Sequence, residues 1–427
     1  MDIAVLDLTH GGTLIAQCLA ETDTVTAVDV YHTLDDRAGH DLKSSGISLL
    51  TEPPDADDFD LIVSPVHLDQ AYPTLCGARA AGIPVITHHA AVHEILNQRL
   101  QRYEIIEVTG TTAKTSTVQI LAGILSTCTD KKIISHTSAG VDYWEGGISR
   151  TIARFSIAPA SIIGVVRSVR TEPDPDIFIF EVSLGGTGLA DTGIITTLSG
   201  DYLIANNTRA ASDAKMQMIH CAKPGSTLIL GSDIISDSNA ITFGNDGDVY
   251  FESIDPKHAT IAAMGEQIEF TVNDYDIFSY DIAILGAVTA AISMNIDVGC
   301  IKSFLDNFSG VSGRMRIFKI NGRTIIDNSN SGMNIPSAES AIDHARRIAD
   351  KGKIVAIIGI EKYNVCEGLD PDGVSELIRR NRDFIDRFIT VGMTGDHNVS
   401  DLDTGMDLAM NLTEEGDMII SCVKCFR

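Results

Sequence analysis

No apolar stretch of this chain runs unbroken for the roughly 20 residues that a bilayer-spanning helix needs. Its first residues, Met1-Asp2-Ile3-Ala4, lack the basic head that opens a secretory signal. Basic charge is scarce throughout: 32 Lys and Arg stand against 58 Asp and Glu, a formal net charge of −26. That balance argues against nucleic acid and anionic membrane as partners. The eight cysteines are scattered, without the clustering of a disulfide framework. We therefore expect a cytoplasmic protein with reduced thiols, acting on a small molecule as a monomer or homodimer. Cys422-x-x-Cys425 is the one pair with redox or metal spacing, and with no second pair it reads as structural.

What is present is the composition of a folded protein of 427 residues, too long for one core and sufficient for two to four domains. Residues 3–8 and 24–29 read as short buried strands, separated by a turn at His10-Gly11-Gly12 and a helix-like run to Ala20. The turn falls short of Gly-x-Gly-x-x-Gly, so a dinucleotide site is poorly supported. Strands at 60–64 and 84–87 and a helix at 67–81 extend this α/β layer to about residue 98.

The most informative stretch follows an apolar β-type run and opens a helix-type run. Thr109, Gly110, Thr111, Thr112 and Ala113 are small enough to let backbone N–H groups reach a polyphosphate. Lys114 then supplies charge to the outer phosphates and Thr115 a hydroxyl for Mg²⁺, with Ser116 completing the motif. Together these residues read as an ATP site. A strict Walker pattern would place Gly at Val108 and Ala113, so a simple pattern search rejects it. Downstream, Asp176 to Ser183 reads as a buried strand carrying Glu181 to its end, where parallel sheets gather ligand groups and where a carboxylate can reach a metal beside the phosphate loop. Between these motifs, Gly146 to Thr171 holds Arg150, Arg154, Arg167 and Arg170 without one Asp or Glu. This local reversal of charge is either a solvated face or a seat for a polyanionic substrate.

The segment Thr109 to Ser116 resembles the phosphate loop of the Mur ligase family, ATP-dependent ligases that join carboxylates to amines through an acyl phosphate. Further stretches follow in the family's order: Glu181-Val182-Ser183, Thr197 to Asp201, Lys215, and Gly310-Val311-Ser312-Gly313-Arg314 with Asp327 beyond it. The resemblance implies an α/β, three-domain Mur ligase-like architecture with a central P-loop ATPase domain. Its expected parts are a Rossmann-like substrate domain at 1–98, the ATPase domain at 99–308 and a C-terminal α/β domain at 309–427. It also implies that Lys114, Glu181 and Lys215 are catalytic, and that Thr115, Glu181 and a carbamylated Lys215 serve Mg²⁺. Arg314 and Asp327 would approach the phosphates and ribose of ATP. Thr197, Tyr202 and Ala283 stand where the family carries Asn, His and an adenine-facing Asn, which leaves the second metal position and the adenine contact without support.

Asp7 to Gly12, Asp327 to Gly332 and Cys366-Glu367-Gly368 look like the methanogen branch of the family that makes coenzyme F430. For that branch the resemblance implies ATP-driven activation of a propionate on a polycarboxylate nickel tetrapyrrole, closing the last carbocyclic ring of its seco-acid precursor. ADP and phosphate are released. His10, Gly11, Gly12 and the four arginines would then meet the substrate. The alternatives are an amide ligase adding an amino acid to a cell-wall or pseudomurein peptide, and a degenerate nucleotide sensor.

Overall fold

Short β-branched runs build the first sheet of the computed structural model, which describes residues 1–169, 172–361, 368–395 and 397–426. Contacts within the chain form two units: Met1–Tyr250 with Ala263–Gly265 and Ile282–Cys300, and Phe251–Ala262 with Glu266–Asp281 and Ile301–Arg427. Among the described residues, no helix is long and apolar enough to cross a membrane.

The first unit opens with β1 (Asp2–Leu6), α1 (Thr13–Leu19), β2 (Thr24–Val28), α2 (Asp36–Ser44), β3 (Ser48–Leu50), β4 (Leu61–Ser64), α3 (Pro73–Ala81), β5 (Val85–Thr87) and α4 (His88–Leu100). The five strands are parallel in the order β3-β2-β1-β4-β5. Ile3 to Leu6 are buried, as expected of a parallel strand covered on both faces. The order turns back on itself between β1 and β4, so the carboxyl ends of these two strands flank a switch point where α/β sheets receive ligands. The helix expected over 67–81 starts only at Pro73, whose fixed φ suits a first helical position. Before it, Asp69 ties a turn by accepting from the Ala71 N–H at 2.8 Å.

A second sheet follows in the same unit, from β6 (Glu104–Thr109), α5 (Lys114–Cys128), β7 (Ile133–Thr137), β8 (Gly140–Glu145), β9 (Ile148–Ala153), α6 (Ser161–Ser168), β10 (Ile177–Glu181) and β11 (Thr192–Ile195). A two-stranded ribbon, β12 (Leu203–Ile204) and β13 (Arg209–Ala210), leads to α7 (Ala211–Lys215), α8 (Gln217–His220), β14 (Thr227–Gly231) and β15 (Ile241–Phe243). From β15 to its far edge the sheet runs β15-β14-β11-β6-β10-β7-β8-β9, and β6 lies between parallel β10 and β11. Behind β6, α5 is buried from Thr115 through Ser126 apart from half-buried Gln119, so the phosphate loop rests on a helix enclosed by the core. One cluster of buried side chains joins both sheets: Ile3, Ile15, Val92 and Leu96 pack with Ile105, Ile162 and Phe178. The segment that carries Lys215 forms two short helices meeting at Met216.

Cys128 at the end of α5 forms a disulfide with Cys300, 172 residues away. This corrects the expectation of reduced thiols throughout: the partners are joined by tertiary folding, which sequence spacing does not reveal. Cys422 and Cys425 are both buried, and burial pushes the Cys422 thiol up to about 12.

The second unit takes β16 (Val249–Ile254) in part, most of β17 (His258–Ala263) and β18 (Glu266–Thr271); α9 (Asp281–Ser293) belongs from Ile282 on to the first unit, and α10 (Val298–Asn307) joins the second from Ile301. Its main sheet is built from β19 (Arg316–Ile320), β20 (Arg323–Asp327), β21 (Ile354–Ile360), β22 (Arg387–Val391), β23 (Asn398–Val399) and β24 (Met418–Lys424). The order is β19-β20-β24-β21-β22-β23, with antiparallel β19 at one edge and the other pairings parallel. Helices α11 (Ile335–Ile348), α12 (Pro371–Asn381) and α13 (Leu402–Leu412) connect the strands, each started by a side-chain cap from Asn334, Asp370 or Asp401. Cys366 and Glu367 lie outside the described residues.

Candidate active site

The phosphate loop is shaped by what surrounds the end of β6. Gly110 has φ +144°, and a Cβ there would lie 2.0 Å from Thr196 Oγ1, so only glycine fits. Ala113 occupies a left-handed conformation, φ 65° and ψ −10°, where the strict motif has glycine. An L-residue holds it at a cost of about 1–2 kcal/mol. The neighbouring strand end pins the loop: Thr111 N donates to Thr197 O at 2.9 Å, Thr111 Oγ1 to Ser199 O at 2.6 Å, and Thr196 Oγ1 to Thr112 O at 2.6 Å. Lys114 Nζ curls back over the loop, donating to Gly110 O at 3.0 Å and Thr111 O at 3.3 Å. Thr109 and Ser116 are buried at either end.

Glu181, at the end of β10, meets the start of α5. Its Oε2 accepts from Thr115 Oγ1 at 2.8 Å and from Ser138 N at 3.1 Å, and Ser138 Oγ lies 3.3 Å from Thr115 Oγ1. A hydroxyl and a carboxylate thus stand side by side at the carboxyl ends of adjacent parallel strands. This is an oxygen-only donor set, the kind Mg²⁺ takes while keeping waters and phosphate oxygens as its other ligands. His136, behind Glu181, is held neutral by burial, which lowers its basicity despite the nearby carboxylate.

Thr197, at the position of the family's Asn, donates to Asp233 Oδ2 at 2.7 Å, and the Leu198 and Ser199 N–H groups join the same oxygen. Asp201 accepts from the Tyr202 and Ser212 N–H groups and from Ser212 Oγ. Burial opposes ionisation of Asp201, but those hydrogen bonds and the Lys215 charge hold its carboxyl below the usual range. Lys215 is 1% exposed, which rules out a solvated surface lysine. Its Nζ sits 4.6 Å from the ring centroid of Tyr202, the residue at the family's His position.

In the first sheet, Gly11 and Gly12 let the loop after β1 close tightly. A Cβ on Gly12 would fall 2.1 Å from Asp7 O, and one on Gly11 2.7 Å from Ala160 Cβ. His10 Nδ1 lies 2.7 Å from Asp7 Oδ2, and His67 Nε2 reaches the same oxygen at 3.2 Å. Burial acts to raise the Asp7 carboxyl, yet the two imidazoles hold it well below the usual range. Sequence reasoning singled out His10 and missed His67; the available signal was that both follow strands of one parallel sheet.

The arginines occupy separate elements. Arg150 on β9 pairs with Glu172, just beyond the acid-free segment, and stacks 5.0 Å over Tyr143. Arg167, in the last turn of α6, donates to Cys18 Sγ at 3.0 Å. Arg154 is exposed, and Arg170 lies outside the described residues.

In the second unit, Asp327 Oδ2 accepts from the Gly313 N–H at 2.9 Å, which places Arg314 beside the end of β20. The stretch after Asp327 is folded inward. Asn330 donates to Gly313 O at 2.7 Å, Asn328 to Ser337 O at 2.9 Å, and Ser329 hydrogen-bonds Ser421.

Comparison with known proteins places these features. Residues 317–425 match the family described as coenzyme F430 synthetase CfbE, C-terminal domain. The chain is 40% identical to the coenzyme F(430) synthetase of Methanosarcina acetivorans, with 100% of this chain and 98% of that protein covered. It is 24% identical to the one from Methanocaldococcus jannaschii, covering 94% and 93%. In fold it is similar to MurF from Acinetobacter baumannii, with a TM-score of 0.61, 13% identity, and 99% and 90% of the two chains covered. The architecture is therefore the three-domain α/β fold of the Mur ligases, and the chain belongs to the coenzyme F430 synthetase family of ATP-dependent ligases.

Proposed function

We propose that this protein closes the last carbocyclic ring of coenzyme F430. A propionate oxygen of the seco-tetrapyrrole acid attacks the γ-phosphorus of ATP, giving an acyl phosphate and ADP. A carbon of the same molecule, having lost a proton, then attacks the acyl carbon; a C–C bond forms, the C–O bond to phosphate breaks and phosphate leaves. Activation is needed because a carboxylate is a poor electrophile.

The observation that carries this reading is the buried Thr115–Glu181 pair beside Lys114, on a chain 40% identical along its length to a coenzyme F(430) synthetase. In our reading, Thr109 to Ser116 cradle the phosphates, and Lys114 disperses the charge moved to the leaving ADP. Thr115, Glu181 and a carbamylated Lys215 hold Mg²⁺, which draws charge from the phosphoryl oxygens when bound. Arg314 and Asp327 serve ATP from the segment 309–427, while the segments 1–98 and 99–308 hold substrate and nucleotide. His10, Gly11, Gly12, Arg150, Arg154, Arg167 and Arg170 are assigned to the tetrapyrrole side.

Ring closure is favoured over amide synthesis by the stretch after Asp327. Asn328, Ser329 and Asn330 are buried and hydrogen-bonded within the fold, so they offer no clamp to an incoming amino acid. An internal carbon needs none, because positioning alone supplies an effective molarity of up to about 10⁵ M or more. The test is product mass from purified protein, ATP, Mg²⁺ and the nickel seco-acid. Loss of one water without added amine is expected; turnover only with an amino acid would return the protein to the amide ligases.

A further inference from the structure

Of the three side chains at the switch point of the first sheet, Asp7 and His67 have no part in the reading above, and His10 has one only as a residue on the tetrapyrrole side. We infer that Asp7, His10 and His67 form a site for one divalent transition-metal ion, separate from the phosphate-loop position. Asp7 follows β1 and His67 follows β4, the two strands at which the sheet order turns back. One ligand atom from each residue lies within 4.8 Å of the others, and two of the separations are 2.7 and 3.2 Å. Metal bonds of about 2.0–2.2 Å in tetrahedral geometry would set these edges at about 3.3–3.6 Å, so the two short separations open by less than about 1 Å to admit an ion. Two imidazoles and one carboxylate suit Zn²⁺, Ni²⁺, Co²⁺ or Fe²⁺ rather than Mg²⁺ or Ca²⁺, and three protein ligands leave positions for a donor atom of a bound molecule.

The surroundings aim these groups as a metal site requires. The other oxygen of Asp7 accepts from the Thr9 N–H at 2.9 Å, leaving Oδ2 to face the imidazoles. Asp7 itself is fully buried in a strained backbone conformation, φ 67°, of the kind retained at functional positions. The His10 and His67 side chains are 36% and 24% exposed, so the open side of the cluster faces solvent. Tyr31 orients both rings, stacking on His67 at 6.5 Å and meeting His10 edge-on at 6.0 Å. The turn after His67 is anchored as well: Asn206 donates to Asp69 Oδ2 at 3.0 Å.

The test is titration of the full-length, chelator-stripped protein with Zn²⁺ and Co²⁺, without nucleotide, by calorimetry and the visible spectrum of Co²⁺. One ion per chain is expected, with affinity lowered about 100-fold or more in His10→Ala and in His67→Ala and unchanged in Glu181→Gln. Circular dichroism reports whether each variant folds, and His67, the ligand set in a turn, carries the test if His10→Ala does not. No bound ion in the unaltered protein would show that the imidazoles only donate to Asp7, and would overturn the inference. So would undiminished affinity in His67→Ala, which would assign the ion to thiols, or loss in Glu181→Gln alone, which would assign it to the phosphate loop.

Discussion

Replacing Glu107 with Gln should stabilise the protein, and only toward neutral and alkaline pH. Glu107 lies within β6, the strand that delivers the phosphate loop, with its side chain fully buried. Burial pushes its carboxyl from the usual 4.5 up to about 7, although Thr187 opposes this by donating its N–H at 2.9 Å and its hydroxyl. Because the folded-state value is raised, the native protein keeps a proton that the unfolded chain gives up. Stability from this group is complete below about pH 4.5 and is lost as pH rises through about 7. The separation between 4.5 and about 7, at about 1.36 kcal/mol per pH unit, amounts to about 3 kcal/mol at pH 8.5. Gln is neutral at every pH, its carbonyl can accept from Thr187 N, and its amide can donate to Thr187 Oγ1. The variant should thus match the parent at pH 4.5 and exceed it by up to about 3 kcal/mol at pH 8.5. Other groups titrate alike in both proteins and cancel in the difference. Trp144, the one tryptophan, sits on β8 of the same sheet and reports urea unfolding by fluorescence. Parallel stability profiles for parent and variant from pH 4.5 to 8.5 would refute the reasoning.

Three further outcomes follow from the geometry. Lys114→Ala should lower ATP-dependent turnover about 10³-fold, as loss of preorganised charge at the phosphates requires; unchanged turnover in a steady-state assay would contradict the site. Lys215→Ala should abolish activity and regain part of it with added formate or acetate, which supply the anionic oxygen of the carbamate; absence of rescue, with parent turnover indifferent to bicarbonate, would remove the carbamate from the account. His88 and His89, whose imidazoles burial holds down to about 4, should stay neutral as pH falls from 6.5 to 5; because the unfolded chain takes up protons below 6.5, the stability tied to these rings is complete above that pH and is lost progressively as pH falls through about 4; NMR titration of either ring near 6.5 would refute this.

Local motifs were legible in the sequence because each rests on neighbouring residues. The loop from Thr109 to Ser116 and the strand ending in Glu181 needed only a strand, a helix and their junction, and the structure joins them at 2.8 Å. Helix α12 at Pro371–Asn381 is local in the same sense, with Asp370 capping its start and Pro371 in its first turn. Long-range partners were not legible. The Cys128–Cys300 disulfide, the His67 approach to Asp7 and the Arg150–Glu172 pair depend on tertiary placement. Glu107 looked like one more residue of an apolar strand, and its burial against Thr187 appears only when β6 is enclosed by β10 and β11.

The central claim is that a substrate carboxylate passes through an acyl phosphate. Labelling the propionate oxygens of the seco-acid with heavy oxygen and analysing the released phosphate by mass spectrometry tests it directly. One labelled oxygen per turnover should move into phosphate, because the carboxylate oxygen that attacks ATP leaves with the phosphoryl group. Unlabelled phosphate formed in step with product would contradict the account.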